Sequence, residues 1–140
     1  MCGIFAIYGN GKTDNREKFI NNRALYLRCA KLLRHRGTDW NGIHIETNSV
    51  ICHERLSIID VDNGAQPLVS RDSAGNSELV LSVNGEIYNH QGLKDVVLQG
   101  RHDFMTGSDC EVILYLYKEF GFQFLNMLDG VFAFFLYDVV

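Results

Sequence analysis

The chain has 140 residues, 46% hydrophobic and 21% charged, which excludes a disordered segment and gives enough length for one domain with a real core. A net charge of −4 leaves no basic excess to neutralise nucleic-acid phosphates or to bind an anionic membrane surface. The longest apolar run, Val131 to Tyr137, falls far short of the ~20 residues that a bilayer span needs.

The elements read as follows in chain order. Ile4 to Tyr8, bounded by Gly3 and Gly9, reads as a buried strand, and Asn10 to Asn15 as a turn. Phe19 to Leu33 has helical spacing and ends in Arg34-His35-Arg36-Gly37, where cations meet the negative end of the helix dipole. Gly42 to Glu46 and Val50 to Asp60 predict two strands around a polar turn at Thr47 to Ser49. Gly64 to Leu68, with the single proline, predicts an ordered loop, and Ser70 to Ser77 a polar stretch. Leu79 to Val83 is a strand, Asn84-Gly85 a tight turn, and Glu86 to Tyr88 the strand that follows it. His90 to Leu98 is a short helix. Ser108 to Phe120 is a stronger one, with Ser108 and Glu111 spaced as a capping box and Gly121 as its stop. Phe122 to Leu128 is a further short helix. Val131 to Tyr137 reads as a central strand, after which the chain stops at Val140 and an open strand edge is expected. Strand clusters alternating with helices predict an α+β layered fold.

Four cysteines are present, Cys2, Cys29, Cys52 and Cys110, with no C-x-x-C pair. That argues against a zinc ribbon or a thioredoxin-type site and suits reduced thiols in the cytoplasm. The opening residues carry no basic leader, so no signal peptide is expected. No two of the five histidines have an H-x-x-x-H spacing, and no G-x-x-x-x-G-K-[ST] phosphate loop occurs.

Cys2 is the first residue with chemistry in it. Removal of Met1 would leave a thiol and an α-amine on one residue, with ordinary pKa values of about 8.5 and about 8. The amine can then take the thiol proton, so nucleophile and base come without a histidine. The plain alternative is a small residue opening a strand. Asn84 and Gly85 could aim an amide and a backbone N–H at a developing oxyanion, or simply form a hairpin turn. Arg55 lies in an otherwise apolar stretch, where it either pairs internally or reads an anionic ligand with its planar fork. Asp109 opens a helix, a place that suits an acid for dipole reasons alone.

In order along the chain, Met1-Cys2-Gly3-Ile4, Arg34-His35-Arg36-Gly37-Thr38-Asp39-Trp40, His53-Glu54-Arg55-Leu56-Ser57-Ile58, Gly64-Ala65-Gln66-Pro67-Leu68, Asn84-Gly85-Glu86-Ile87-Tyr88-Asn89, Ser108-Asp109-Cys110-Glu111 and Leu128-Asp129-Gly130-Val131-Phe132-Ala133 form a series. This series resembles the N-terminal glutaminase domain of the glutamine-hydrolysing asparagine synthetases. These are class II glutamine amidotransferases and N-terminal-nucleophile hydrolases. The resemblance implies an αββα sandwich of two antiparallel sheets between helical layers, covered in part by residues 1–140. It implies Cys2 as nucleophile with its α-amine as base, and Asn84 with Gly85 as the oxyanion hole. Arg55 would hold the α-carboxylate of L-glutamine, and Asp109, helped by Glu86, the α-ammonium. The backbone of Leu56, Ser57, Ile58 and Ile59 would line the pocket.

No cofactor is expected in this chain. ATP and magnesium belong to a synthetase domain that the resemblance places beyond it, and a homodimer is compatible with the family. One departure is Thr38, where the family usually has proline. The competing expectations are an inactive fragment, a glutamine-binding or interaction module, and the first part of another synthetase-like amidotransferase.

Overall fold

In a computed structural model of the chain, which describes residues 1–9, 13–57 and 64–139, two three-stranded antiparallel sheets lie between helical layers. The first sheet has the order β1-β3-β2, built from β1 (Gly3–Tyr8), β2 (Trp40–Ile45) and β3 (Ser49–Arg55). The second has the order β4-β5-β6, from β4 (Leu68–Arg71), β5 (Ser77–Ile87) and β6 (Gly130–Asp138). The expected α+β sandwich is therefore the observed one.

Alternation along the strands explains the layers. In β3, Val50 and Cys52 join Phe19, Tyr26 and Ala30 of the helices α1 (Arg16–Asn21) and α2 (Arg23–Lys31) in one apolar cluster. Ile51, His53 and Arg55 must then face the other sheet. In β5, Leu79, Leu81 and Val83 pack with Val112, Ile113 and Leu116 of α4 (Val112–Phe120) and with Phe124 of the 3₁₀ segment Gly121–Met127. Ser82 and Asn84 thus face the first sheet. A bond of 2.7 Å between His53 Nδ1 and Ser82 Oγ crosses the layer between the sheets. Every residue of β3 is buried, because it is covered on both faces and paired on both edges.

Several expectations are corrected. The helix over Phe19 to Leu33 is two helices broken at Asn22. The Asn22 Nδ2 donates to Lys18 O at 2.8 Å, so the side chain competes with the helical ladder and ends it. Asn84-Gly85 is not a tight turn. Both residues lie inside β5, which runs unbroken past Val83 and pairs Asn84 with Ala133 and Gly85 with Phe132. The polar stretch hides the end of β4. The reversal after it is made by Asp72, whose Oδ1 accepts from Ala74 N and Asn76 N, each at 2.8 Å. Helix His90 to Leu98 is a short α-helical turn, α3 (His90–Gly92), followed by a π-helical one.

The reciprocal capping box at Ser108 does not form. Ser108 Oγ accepts from Cys110 N at 3.3 Å, but Glu111 turns to Met105 N and Thr106 N, at 2.7 and 2.8 Å. A 3₁₀ turn, Asp109–Glu111, precedes α4 as a result. β1 is half-buried rather than buried, since it stands at a sheet edge. β6 also stands at an edge among the described residues, not in the centre. The strand expected to reach Asp60 ends at Arg55, and its last part lies outside the described residues.

His53 carries a pH consequence. Its Nε2 has no hydrogen-bond partner among the described residues, and burial first, then the nearby Arg55 charge, pushes the imidazole from 6.5 down to about 4. The unfolded chain therefore binds the proton more readily. The stability that the neutral ring contributes is complete above pH 6.5 and is lost as pH falls toward 4, amounting to about 3 kcal/mol. The urea midpoint should drop over that range in the wild type, and His53→Gln, which cannot titrate, should flatten the drop.

Candidate active site

The open end of the layer between the sheets forms a cavity of about 470 Å³, a volume ordinary for small-molecule sites. Its walls include Cys2, Arg55, Leu56, Asn84, Gly85, Glu86 and Asp109. Residues far apart in the chain meet here because three strands come together at this end of the sandwich. β1 begins just after Cys2, β3 ends at Arg55, and β5 passes Asn84 and Gly85 on the facing sheet.

Cys2 is half-buried, and its nitrogen donates to Asn84 Oδ1 at 2.7 Å. With one face of the Asn84 amide engaged in this way, its Nδ2 is left for another acceptor. The Cys2 sulfur receives the Leu56 N–H at 3.4 Å and lies 3.7 Å from Leu56 O. Arg36 Nε donates to Cys2 O at 3.0 Å and fixes the backbone of the same residue. Met1, which precedes it, is 71% exposed.

Arg55 is buried at the end of β3, and Asp109 is buried in the 3₁₀ turn before α4. One Asp109 oxygen, Oδ2, accepts from Ile87 N at 2.7 Å, which ties the acid to the end of β5. Glu86 is exposed on the cavity rim. Ser57 lies beside the cavity rather than in its wall, and its N–H is bound by Asp39 Oδ2 at 2.8 Å. Ile58 and Ile59 lie outside the described residues.

Gly85 has φ near +154°, a conformation that side chains avoid. A Cβ there would overlap Val131 O and Phe132 Cα of the paired strand, so only glycine lets β6 approach. The approach in turn brings Val131, Phe132 and Ala133 into the cavity wall.

The thiols differ in environment. Desolvation, then the Glu54 charge, pushes Cys52 up to about 12. Desolvation, then Asp109, raises Cys110 further. Neither is a nucleophile at neutral pH, although Cys110 lines the cavity with its sulfur 3.7 Å from Gly85 O.

The residues singled out from sequence that the structure brings together are Cys2, Arg55, Leu56, Asn84, Gly85, Glu86 and Asp109. Sequence reasoning missed three contributors. Arg36 holds Cys2, Asp39 holds Ser57, and Gln66 Oε1 accepts from Val83 N at 2.7 Å beside the cavity. All three fall within the sequence blocks quoted above, which was the available signal.

A family model described as a glutamine amidotransferase domain matches residues 1–140. The chain belongs to this family. Among curated relatives, a probable asparagine synthetase [glutamine-hydrolyzing] of Schizosaccharomyces pombe is 52% identical over 138 residues, 99% of this chain. Asparagine synthetase B [glutamine-hydrolyzing] of Escherichia coli is 51% identical over the same length. This amidotransferase domain spans 23% of the length of either relative.

Among solved structures, a glutamine phosphoribosylpyrophosphate amidotransferase from B. subtilis superposes with a TM-score of 0.69 at 25% identity, covering 98% of this chain and 35% of that one. An allosteric regulatory enzyme of purine biosynthesis shares the fold, with a TM-score of 0.69 at 23% identity over 97% of this chain and 35% of that one. The fold is that of the N-terminal-nucleophile hydrolases.

Gly85→Ala should force β5 and β6 apart at the cavity wall. The expected cost is about 2–4 kcal/mol, read as a lower urea midpoint, with any activity of the site falling alongside.

Proposed function

We propose that the chain is the glutaminase part of a glutamine-hydrolysing asparagine synthetase. The observation that carries the reading is the 2.7 Å contact between the Cys2 nitrogen and Asn84 Oδ1, with Arg55 and Asp109 on the same cavity. The names of relatives 51–52% identical over nearly the whole chain support it.

In the 140-residue chain the Cys2 nitrogen is a peptide nitrogen. Loss of Met1 would convert it to a primary amine in the same place. The amine takes the thiol proton, and the thiolate attacks the side-chain amide carbon of L-glutamine. The Asn84 amide and the Gly85 N–H stabilise the oxyanion that forms. The ammonium returns its proton to the departing nitrogen, so the C–N bond breaks and ammonia leaves. The γ-glutamyl thioester on Cys2 remains, and water, deprotonated by the same amine, cleaves it to glutamate.

Arg55 pairs with the α-carboxylate through two parallel N–H bonds. Asp109 takes the α-ammonium on the oxygen not spent on Ile87 N, with Glu86 beside it. Leu56 forms the wall next to the sulfur. These groups match the two opposite charges of an amino-acid head group and need no cofactor. ATP and magnesium would act in a synthetase segment of the longer polypeptide, where the ammonia would amidate activated aspartate. We read the chain as cytoplasmic. No helix among the described residues is long and apolar enough to cross a membrane.

With Met1 removed, verified by intact mass, the chain should release glutamate and ammonia from glutamine, and Cys2→Ala should abolish the release. Equal activity in both proteins would remove Cys2 from the chemistry. Arg55→Lys should raise the KM for glutamine about tenfold or more, because an ammonium cannot reproduce the planar fork. A diazo-ketone analogue of glutamine should label Cys2 and leave Cys29, Cys52 and Cys110 as thiols, as read by peptide mass spectrometry.

A further inference from the structure

The segment that carries both Arg55 and Leu56 leaves β3 at its last residue, and Leu56 and Ser57 have no strand partner among the described residues. Something else must fix the Leu56 peptide against the Cys2 sulfur. Asp39 does so from both sides of Leu56. Its backbone N–H donates to Arg55 O at 3.0 Å, and its Oδ2 accepts from Ser57 N at 2.8 Å. Leu56, between these two anchors, is left with its N–H free to reach the sulfur, 3.4 Å away.

The other carboxylate oxygen is held as well. Thr38 Oγ1 donates to Asp39 Oδ1 at 3.0 Å, and Arg34 Nη2 donates to Thr38 O at 3.0 Å. The neighbouring Gly37 packs so closely that a Cβ would overlap Glu54 O, which keeps the loop against β3. The Ser57 N–H first, then the Thr38 hydroxyl, hold the Asp39 carboxyl below the ordinary carboxylate range, so it is an ionised acceptor at neutral pH. The exposed residue therefore behaves as a two-point clamp rather than a solvated loop acid.

We propose that Asp39 is a positioning residue for the nucleophile: it clamps the 55–57 segment so that the Leu56 N–H stays on the Cys2 sulfur. The proposal rests on the reading of Cys2 as nucleophile. When the thiol ionises, the Leu56 N–H bond strengthens and favours the thiolate. The charged and titratable groups near the sulfur are its own α-nitrogen, Arg36 on the loop after α2, Arg55 on β3, Glu86 on β5, and Asp109 and Cys110 before α4. Of these, Arg55 also faces the Asp39 charge, so Asp39→Asn, which removes the charge and keeps the hydrogen bonds, separates that effect from the clamp.

The test is the pH profile of Cys2 alkylation by iodoacetamide, followed on the Cys2 peptide by mass spectrometry in the chain without Met1. Glutamine hydrolysis is measured on the same proteins. Asp39→Ala should shift the alkylation midpoint up by about one pH unit and lower kcat for glutamine by about 10- to 100-fold. Asp39→Asn should restore most of both. Its Oδ1 can accept from Ser57 N and its Nδ2 can donate to Thr38 Oγ1, with no charge.

An unshifted alkylation profile in folded Asp39→Ala, judged by circular dichroism, overturns the clamp. So does Asp39→Asn failing as fully as Asp39→Ala, which would make the charge beside Arg55 the active property. If the wild type alkylates as described and the variants behave as expected but no glutamine is hydrolysed, the functional reading falls while the clamp stands.

Discussion

Everything at the cavity depends on one hydrogen bond between the two sheets, from the Cys2 nitrogen to Asn84 Oδ1. It joins residues 82 apart in sequence, and neither partner could find the other without the sandwich. The sheets meet because each central strand presents its apolar alternates to a helical layer and its other alternates to its counterpart. Ser82, one alternation deeper than Asn84 on β5, makes the adjoining polar contact with His53 of β3. Cys2 is thus held by its own nitrogen, by its carbonyl through Arg36, and by its sulfur through Leu56. Three restraints on one small residue leave it little freedom, which is what the proposed role as a nucleophile requires.

The chemistry of the site is a matter of contrast between similar groups. Cys2, Cys52 and Cys110 are all thiols, yet Cys52 and Cys110 are raised by desolvation and neighbouring acids. Asp39 and Asp109 are both acids near the cavity. Asp109 is buried in the cavity wall and spends one oxygen on Ile87 N, whereas Asp39 is exposed and spends both oxygens on the loop that supports the cavity. Sequence alone treats the members of each group as equivalent. Their surroundings separate them.

The layered class and the order of the elements were legible in the sequence because the apolar periods of β3, β5 and α4 are strong. The motif residues were legible because the family blocks keep their order. What failed was local. Asn-Gly is a strong hairpin signal, but here the pairing of nine β5 residues, Leu79 to Ile87, with β6 outweighs it and draws the dipeptide into an extended strand. Asn22 looked like an ordinary helical position, since only its side-chain bond to Lys18 O reveals the break. Glu111 had the spacing of a capping box but was taken by two amides of the preceding loop. Asp39 drew no notice because a carboxylate on an exposed loop looks the same in sequence whether or not it clamps anything.

The distance along the chain between Cys2 and its acceptor has a further consequence during translation. The thiol leaves the ribosome with the first residues, while Asn84 is added 82 codons later, and β6, which seats Gly85, later still. A nascent chain therefore exposes its N-terminus long before the cavity around Asn84 and Gly85 exists. On the proposed mechanism, the order of synthesis lets processing precede assembly, and a half-made polypeptide would have no means of consuming an amino acid that the ribosome itself is drawing on.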